Sequence, residues 1–222
     1  MDEKCSWPGC IDKADETVQL KYMYKNPTVD LCKRHYDLNV RADKCWESII
    51  NTAGYQETRS VFDPAYKLFT DALLTYNMGI NASAALLFRA SMEAAMHAMV
   101  STQDPKYDKS KGFIYTYKHI DECDRLKLTN LIKIIKDSGY LKGMEDNIDH
   151  IDHIKNNGDF IAHYGERFWK EWGALSITAN STINPIKLWI SDEEAAKSLE
   201  YTSEIISELV GKFYNETKPD NP

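Results

Sequence analysis

Residues 82–100, ASAALLFRASMEAAMHAMV, constrain the fold more than any other stretch. They are apolar almost all round at helical spacing. A helix of that kind persists only where neighbours cover every side, so it predicts the central member of a helical bundle. Its few large polar residues, Arg89, Glu93 and His97, recur every four positions and share one stripe. A buried ionisable stripe must be partnered. Either it forms an internal ion-pair network that pins the bundle, or it faces a polar cleft.

The neighbours needed to cover this helix are legible on both sides. Pro64, a residue favoured in a first turn, opens a helix striped by Ala65, Leu68, Phe69, Ala72, Leu73 and Tyr76. Gly79 and Asn81 mark its end. Leu126–Ser138 reads as an amphipathic helix closed by Gly139 at the C′ position. Ser191 and Glu194 form a capping box that starts a last helix running to about Tyr214. That helix carries Ala195, Leu199, Thr202, Ile206, Leu209 and Phe213 on one stripe. Residues 61–216 are therefore expected to form an all-α domain of about five helices.

The remaining helix lies in KGMEDNIDHIDHIKNNGDFIAHYG, residues 142–165. Met144, Ile148, Ile151 and Lys155 fall on one face, so Lys155 projects from an apolar stripe and needs a partner or a route to water. The helix is expected to stop or bend at Gly158, with Asp159 as N-cap of the restart. On a straight helix Lys155 and His163 would stand about 12 Å apart along the axis. A bend or a second chain would be needed to bring the two side chains together. His150 and His153, with Asp149 and Asp152, suggest a metal cluster. They fall opposite Ile148 and Ile151, which favours a solvated face.

The N-terminal 45 residues have a different logic. Cys5 and Cys10 flank a turn-forming SWPG, and Cys32 and His35 are spaced C-x2-H. Val18, Leu20, Tyr22 and Tyr24 alternate as a strand would, and residues 28–31 offer a return strand. A helix follows from Cys32. Three thiolates and one imidazole close a tetrahedral zinc shell with no open position, which predicts a structural ion. So small a segment needs metal binding to supply its folding free energy. The layout resembles a treble-clef-like zinc finger. Cys45 and Cys123 are left as spare thiols. Residues 46–60 read as a helical continuation and linker, and residues 217–222 as a disordered tail.

The chain carries a formal net charge of −7, and residues 1–44 are neutral, with eight Lys/Arg and eight Asp/Glu. That argues against broad duplex binding through a basic face. The opening MDEK lacks an apolar stretch and no apolar run reaches about 18 residues, so neither a secretion signal nor a membrane span is expected. Five cysteines that do not pair into a framework fit a reducing, cytoplasmic setting. Residues 101–124 read as a long polar loop. Its Lys106, Lys109, Lys111 and Lys118, interleaved with tyrosines, suit either solvent or a nucleic-acid backbone. Residues 166–190, with Trp169, Trp172 and Trp189, read as a lid or a dimer contact.

Three elements coincide: Arg89 and Glu93 in LLFRASME, Lys155 to His163 in KNNGDFIAH, and the closing helix entered by SDEEAAKSLEYTSEI. Together they resemble the HEPN superfamily (higher eukaryotes and prokaryotes nucleotide-binding) over roughly residues 60–216. The resemblance is to a bacterial branch of unassigned function. That branch has Arg, two variable residues, Gly, Asn, and a His four positions after the Asn. The resemblance implies a helical bundle that forms a homodimer. In active members it implies a metal-independent endoribonuclease, often a toxin or phage-defence effector. Its site would combine Lys155 at the Arg position, Asn156 at the polar position and His163, with Arg89 and Glu93 in support. Asp159 stands where the branch has Asn. Non-catalytic members imply the other expectation: an interaction module, with the zinc finger docking a partner protein.

Overall fold

The computed structural model describes residues 4–7, 9–23, 25–108, 112–117, 127–140, 146–162 and 190–218. Among these the chain is mainly helical, with a small antiparallel hairpin at the N-terminus. The hairpin pairs β1 (Glu16–Gln19) with β2 (Thr28–Leu31). β1 is shorter than the alternation suggests. After Leu20 donates to the Pro27 carbonyl, the chain enters a turn that places Lys25 and Asn26 at positive φ. Leu20 and Tyr22 still point inward.

α1 (Lys33–Ile50) links this module to the rest. Its Ala42, Cys45 and Ile49 are buried in one continuous apolar core that runs from Trp7 and Leu31 through to Phe213. α2 (Arg59–Asn77) begins one turn earlier than Pro64 predicts, and the proline sits inside it. Burial explains this. Val61 and Phe62 are sealed in the core, and Thr58 accepts from both of their N–H groups. Packing thus extends the helix past the favoured position for Pro.

α3 (Asn81–Ser101) is the central helix, touching α2, α4 (Leu128–Asp137), α5 (Asp146–Ala162) and α6 (Asp192–Thr217). Ala84, Ala85, Phe88, Met92, Ala95 and Met96 are fully buried. Small residues alternate with Phe and Met, which lets helices approach closely from several sides. Gly139 follows α4 at φ 72°, as a C′ residue should. α6 starts on the expected capping box: Ser191 Oγ accepts from Glu194 N–H at 3.2 Å, and Ser191 N–H donates back to Glu194 at 3.0 Å. Every residue of its expected stripe is buried.

Three expectations need correction. Residues 101–124 are not simply a loop. β3 (Thr102–Asp108) and β4 (Gly112–Tyr117) form an antiparallel ribbon directly after α3, with Tyr107 opposite Phe113. The run FIYTY has the β-branched and aromatic character that a paired strand favours. And α5 does not stop at Gly158; it is helical throughout Asp146–Ala162. The tail begins later than expected, since Thr217 is still helical and Lys218 is the C-cap. Met144, Cys123, residues 219–222 and the tryptophans of 166–189 lie outside the described residues.

Candidate functional site

The side chains of Cys5, Cys10, Cys32 and His35 come together, their ligand atoms all within 4.8 Å of one another. This is the only such group among the described residues. Local structure explains each placement. The turn after Trp7 places Gly9 at φ 79° and closes with Cys10 N–H donating to the Trp7 carbonyl, which brings Cys10 back toward Cys5. Cys32 is the N-cap of α1, and His35 lies on its first turn. The Cys32 side chain makes no cap hydrogen bond. Asp15 supplies that cap instead, its carboxylate accepting from Lys33 N–H at 3.2 Å. The His35 ring is edged by Trp7, with centroids 6.0 Å apart.

His35 Nδ1 lies 3.4 Å from Cys5 Sγ and 3.3 Å from Cys32 Sγ, and Cys10 Sγ lies 3.8 Å from Cys32 Sγ. The thiols do not ionise independently. Burial pushes Cys5 up, but N–H donors from Cys32 and Trp7 and the neighbouring thiols outweigh it and leave Cys5 below the ordinary thiol value. The Asp12 backbone favours the Cys10 thiolate. Burial and the Cys5 and Cys32 sulfurs oppose it and push Cys10 up to about 11. Burial, and then the Arg34 cation, lower His35, which keeps its ring neutral as a ligand must be. Three sulfurs this close cannot all be anionic without a cation among them. The donor set therefore fits a metal ion.

The second constellation lies where α3 crosses α5. Gly158 makes the crossing close: a Cβ there would stand 2.3 Å from Arg89 Cδ and 2.6 Å from Arg89 Cβ. The glycine therefore makes space for a neighbouring side chain. Asp159, expected as an N-cap, is inside the helix and bridges two cations. Its Oδ1 is 3.1 Å from Arg89 Nε and its Oδ2 is 2.9 Å from Lys155 Nζ. Glu93 lies 3.8 Å from the Arg89 guanidinium. All four side chains are between 21% and 28% exposed. The set is electrically neutral, although Arg89 Nε meets Asp159 as a charge contact without a hydrogen bond. Lys155 pairs with Asp159 on its own helix. Asn156 is exposed, off this seam, and His97 is half-buried. His163 lies outside the described residues.

The two histidines expected on a solvated face are packed instead. His150 stacks flat on Tyr201 of α6, with centroids 3.6 Å apart at 7°, and lies 3.2 Å from Glu204. His153 meets Tyr201 edge-on at 5.3 Å and lies 3.4 Å from the Glu194 carbonyl. α5 is covered on two sides, by α3 and by α6, so its polar face is not its solvent face. One buried residue escaped sequence reasoning. Asn157, 8% exposed, donates to Ser198 at 3.1 Å and lies 3.0 Å from His153. Its signal is the i, i+4 spacing to His153 on the side of Ile154. Among the described residues no helix is long and apolar enough to cross a membrane. Comparison with family models, curated proteins and solved structures finds no match.

Proposed function

We propose that this chain is a HEPN-like interaction module, dimerising or docking a partner protein in the cytoplasm, with a structural zinc finger at its N-terminus. One observation carries this reading over a nuclease: Asp159 occupies both Lys155 and Arg89. Those are the cations a scissile phosphate would need. A half-buried carboxylate between them supplies the anion internally.

Zinc is the ion that suits the metal site. A tetrahedral shell with zinc–sulfur bonds of about 2.3 Å and zinc–nitrogen bonds of about 2.0 Å has S···S edges of about 3.8 Å and S···N edges of about 3.5 Å. The separations of 3.8, 3.4 and 3.3 Å sit close to these values. With all four positions taken by protein, the ion holds the fold and leaves no place for substrate.

A second reading keeps the family's endoribonuclease activity, in stress or phage defence. It is favoured by Lys155 and Arg89 lying side by side on adjoining helices, toward the end of α5 that leads to His163. In that reading His163 exchanges protons with the 2′-OH or leaving oxygen, Lys155 stabilises the phosphorane and Asn156 contacts RNA from a two-fold partner. The two readings part in one experiment. Total RNA is incubated with wild type and His163→Ala in magnesium-free buffer. The interaction module predicts no cleavage by either. Cleavage by wild type that is lost in His163→Ala overturns it in favour of the nuclease.

A further inference from the structure

The four metal-binding side chains are not equally shielded. Cys5, Cys32 and His35 are buried, at 6%, 3% and 7% exposure, whereas Cys10 is only partly covered. The turn that carries it is open. A Cβ placed on the adjoining Gly9 would meet nothing within 4 Å. Directly behind Cys10, 3.8 Å away, lies the Cys32 sulfur. Cys32 in turn is the N-cap of α1, whose Ala42, Cys45 and Ile49 belong to the common core. With the ion bound, Cys10 is an accessible thiolate in front of a shielded one, and the shielded one sits at the joint between module and bundle.

We infer that Cys10 is a peroxide-reactive modification site, and that its oxidation, completed by Cys32, ejects the metal and uncouples the N-terminal module from α1. The inference rests on the metal reading above. The Cys10 thiolate attacks one oxygen of hydrogen peroxide. The O–O bond breaks, Cys10 becomes a sulfenic acid, and the departing hydroxide takes a proton to become water. The Cys32 thiolate then attacks the Cys10 sulfur, expels a second hydroxide and forms the disulfide. In sum, two thiolates, one peroxide and two protons give one disulfide and two waters. Two of the four donors are gone, and the remaining thiolate and imidazole cannot hold the ion. Metal binding free energy in so small a module is folding free energy, so Trp7, Leu20 and the β1–β2 hairpin lose their anchor. A dithiol reductant with added metal reverses the change.

The test uses the full-length protein as purified, with its metal content measured first. Hydrogen peroxide is titrated in beside a chromogenic zinc chelator, and the product is digested for disulfide mapping. Roughly one equivalent of peroxide should release each metal ion, with a Cys10–Cys32 linked peptide and a loss of about 2 Da from the reduced apo chain. Brief alkylation of untreated wild type should label Cys10 ahead of Cys5, Cys32 and the buried Cys45, which needs no variant to fold. Metal retained at roughly hundred-fold peroxide excess overturns the proposal. So does first labelling at Cys5 or Cys32, or a disulfide that omits Cys10. A protein purified without metal overturns both the metal reading and this one, while metal present with the wrong cysteine order overturns this one alone.

Discussion

The metal centre and the α3–α5 seam each gather four polar side chains, and they differ in what they lack. Cys5, Cys10, Cys32 and His35 hold up to three negative charges and no positive one, so the cluster is completed only by a cation from outside. Arg89, Glu93, Lys155 and Asp159 carry two charges of each sign and complete one another. The first arrangement is compatible with a bound cation. The second welds two helices and leaves little attraction for an external anion. A constellation of chemically capable residues is thus a binding site only when its own charges do not already cancel.

The sharpest break of this comparison is at the metal. Cys32→Ala should abolish stoichiometric metal binding, measured by elemental analysis. It should also remove the N-terminal module from the cooperative unfolding transition, because free energies of order 10 kcal/mol attach to such ions. The bundle, with its own core, should retain its helical circular dichroism.

Gly158→Ala tests the closeness of the seam. Alanine in a helix interior gains about 1 kcal/mol over glycine. Against that, the new methyl would sit 2.6 Å from Arg89 Cβ, which cannot swing aside as a side-chain tip can. Overpacking of this kind costs about 1–3 kcal/mol, so net destabilisation is expected in denaturant melts. A stabilised variant would mean that the helices cross more loosely.

Asp159→Asn tests the neutrality of the seam itself. Lys155 loses its anion and Arg89 keeps only Glu93. A loss of about 1 kcal/mol is expected, since the groups are partly solvated. Binding of inorganic phosphate or single-stranded RNA should rise from undetectable to measurable by titration calorimetry. If wild type binds as well as the variant, the internal anion is not what closes the site.

The smallest effect is expected at Asp43, outside both clusters. Burial raises its carboxyl from 3.8 to about 6, opposed by Lys21 and an Asn39 hydrogen bond. Its folded value is above the unfolded one. The contribution to stability is therefore complete below about pH 4 and is lost as pH rises through 6. Asp43→Asn should flatten that slope and stabilise the protein at pH 7 by under about 1 kcal/mol after allowance for solvent screening. A thermal melt at pH 4 and at pH 7 reads the difference.

What could be read from the chain is what acts over short sequence distances. The C-x2-H pair at the start of α1, the Ser191–Glu194 box, Gly139 at C′ and the stripe of α6 each depend on neighbours within about one turn. Residues 82–100 announce a buried helix because no exposed helix can be apolar all round. The ribbon of 102–117 was obscured by its lysines and its Pro105, although FIYTY has strand character.

The sequence by itself therefore determined that this protein has a Cys/His cluster compatible with a metal site, a central helix and a capped final helix, because those signals are local and chemical. Only the tertiary structure decided what α5 does. Periodicity can assign one buried face, but α5 has two. Its Gly158 makes room for Arg89, its Asp159 ties α3 to Lys155, and its His150 lies flat on Tyr201. Arg89 and Tyr201 stand tens of residues away in the chain, and their contact follows from how helices pack in space.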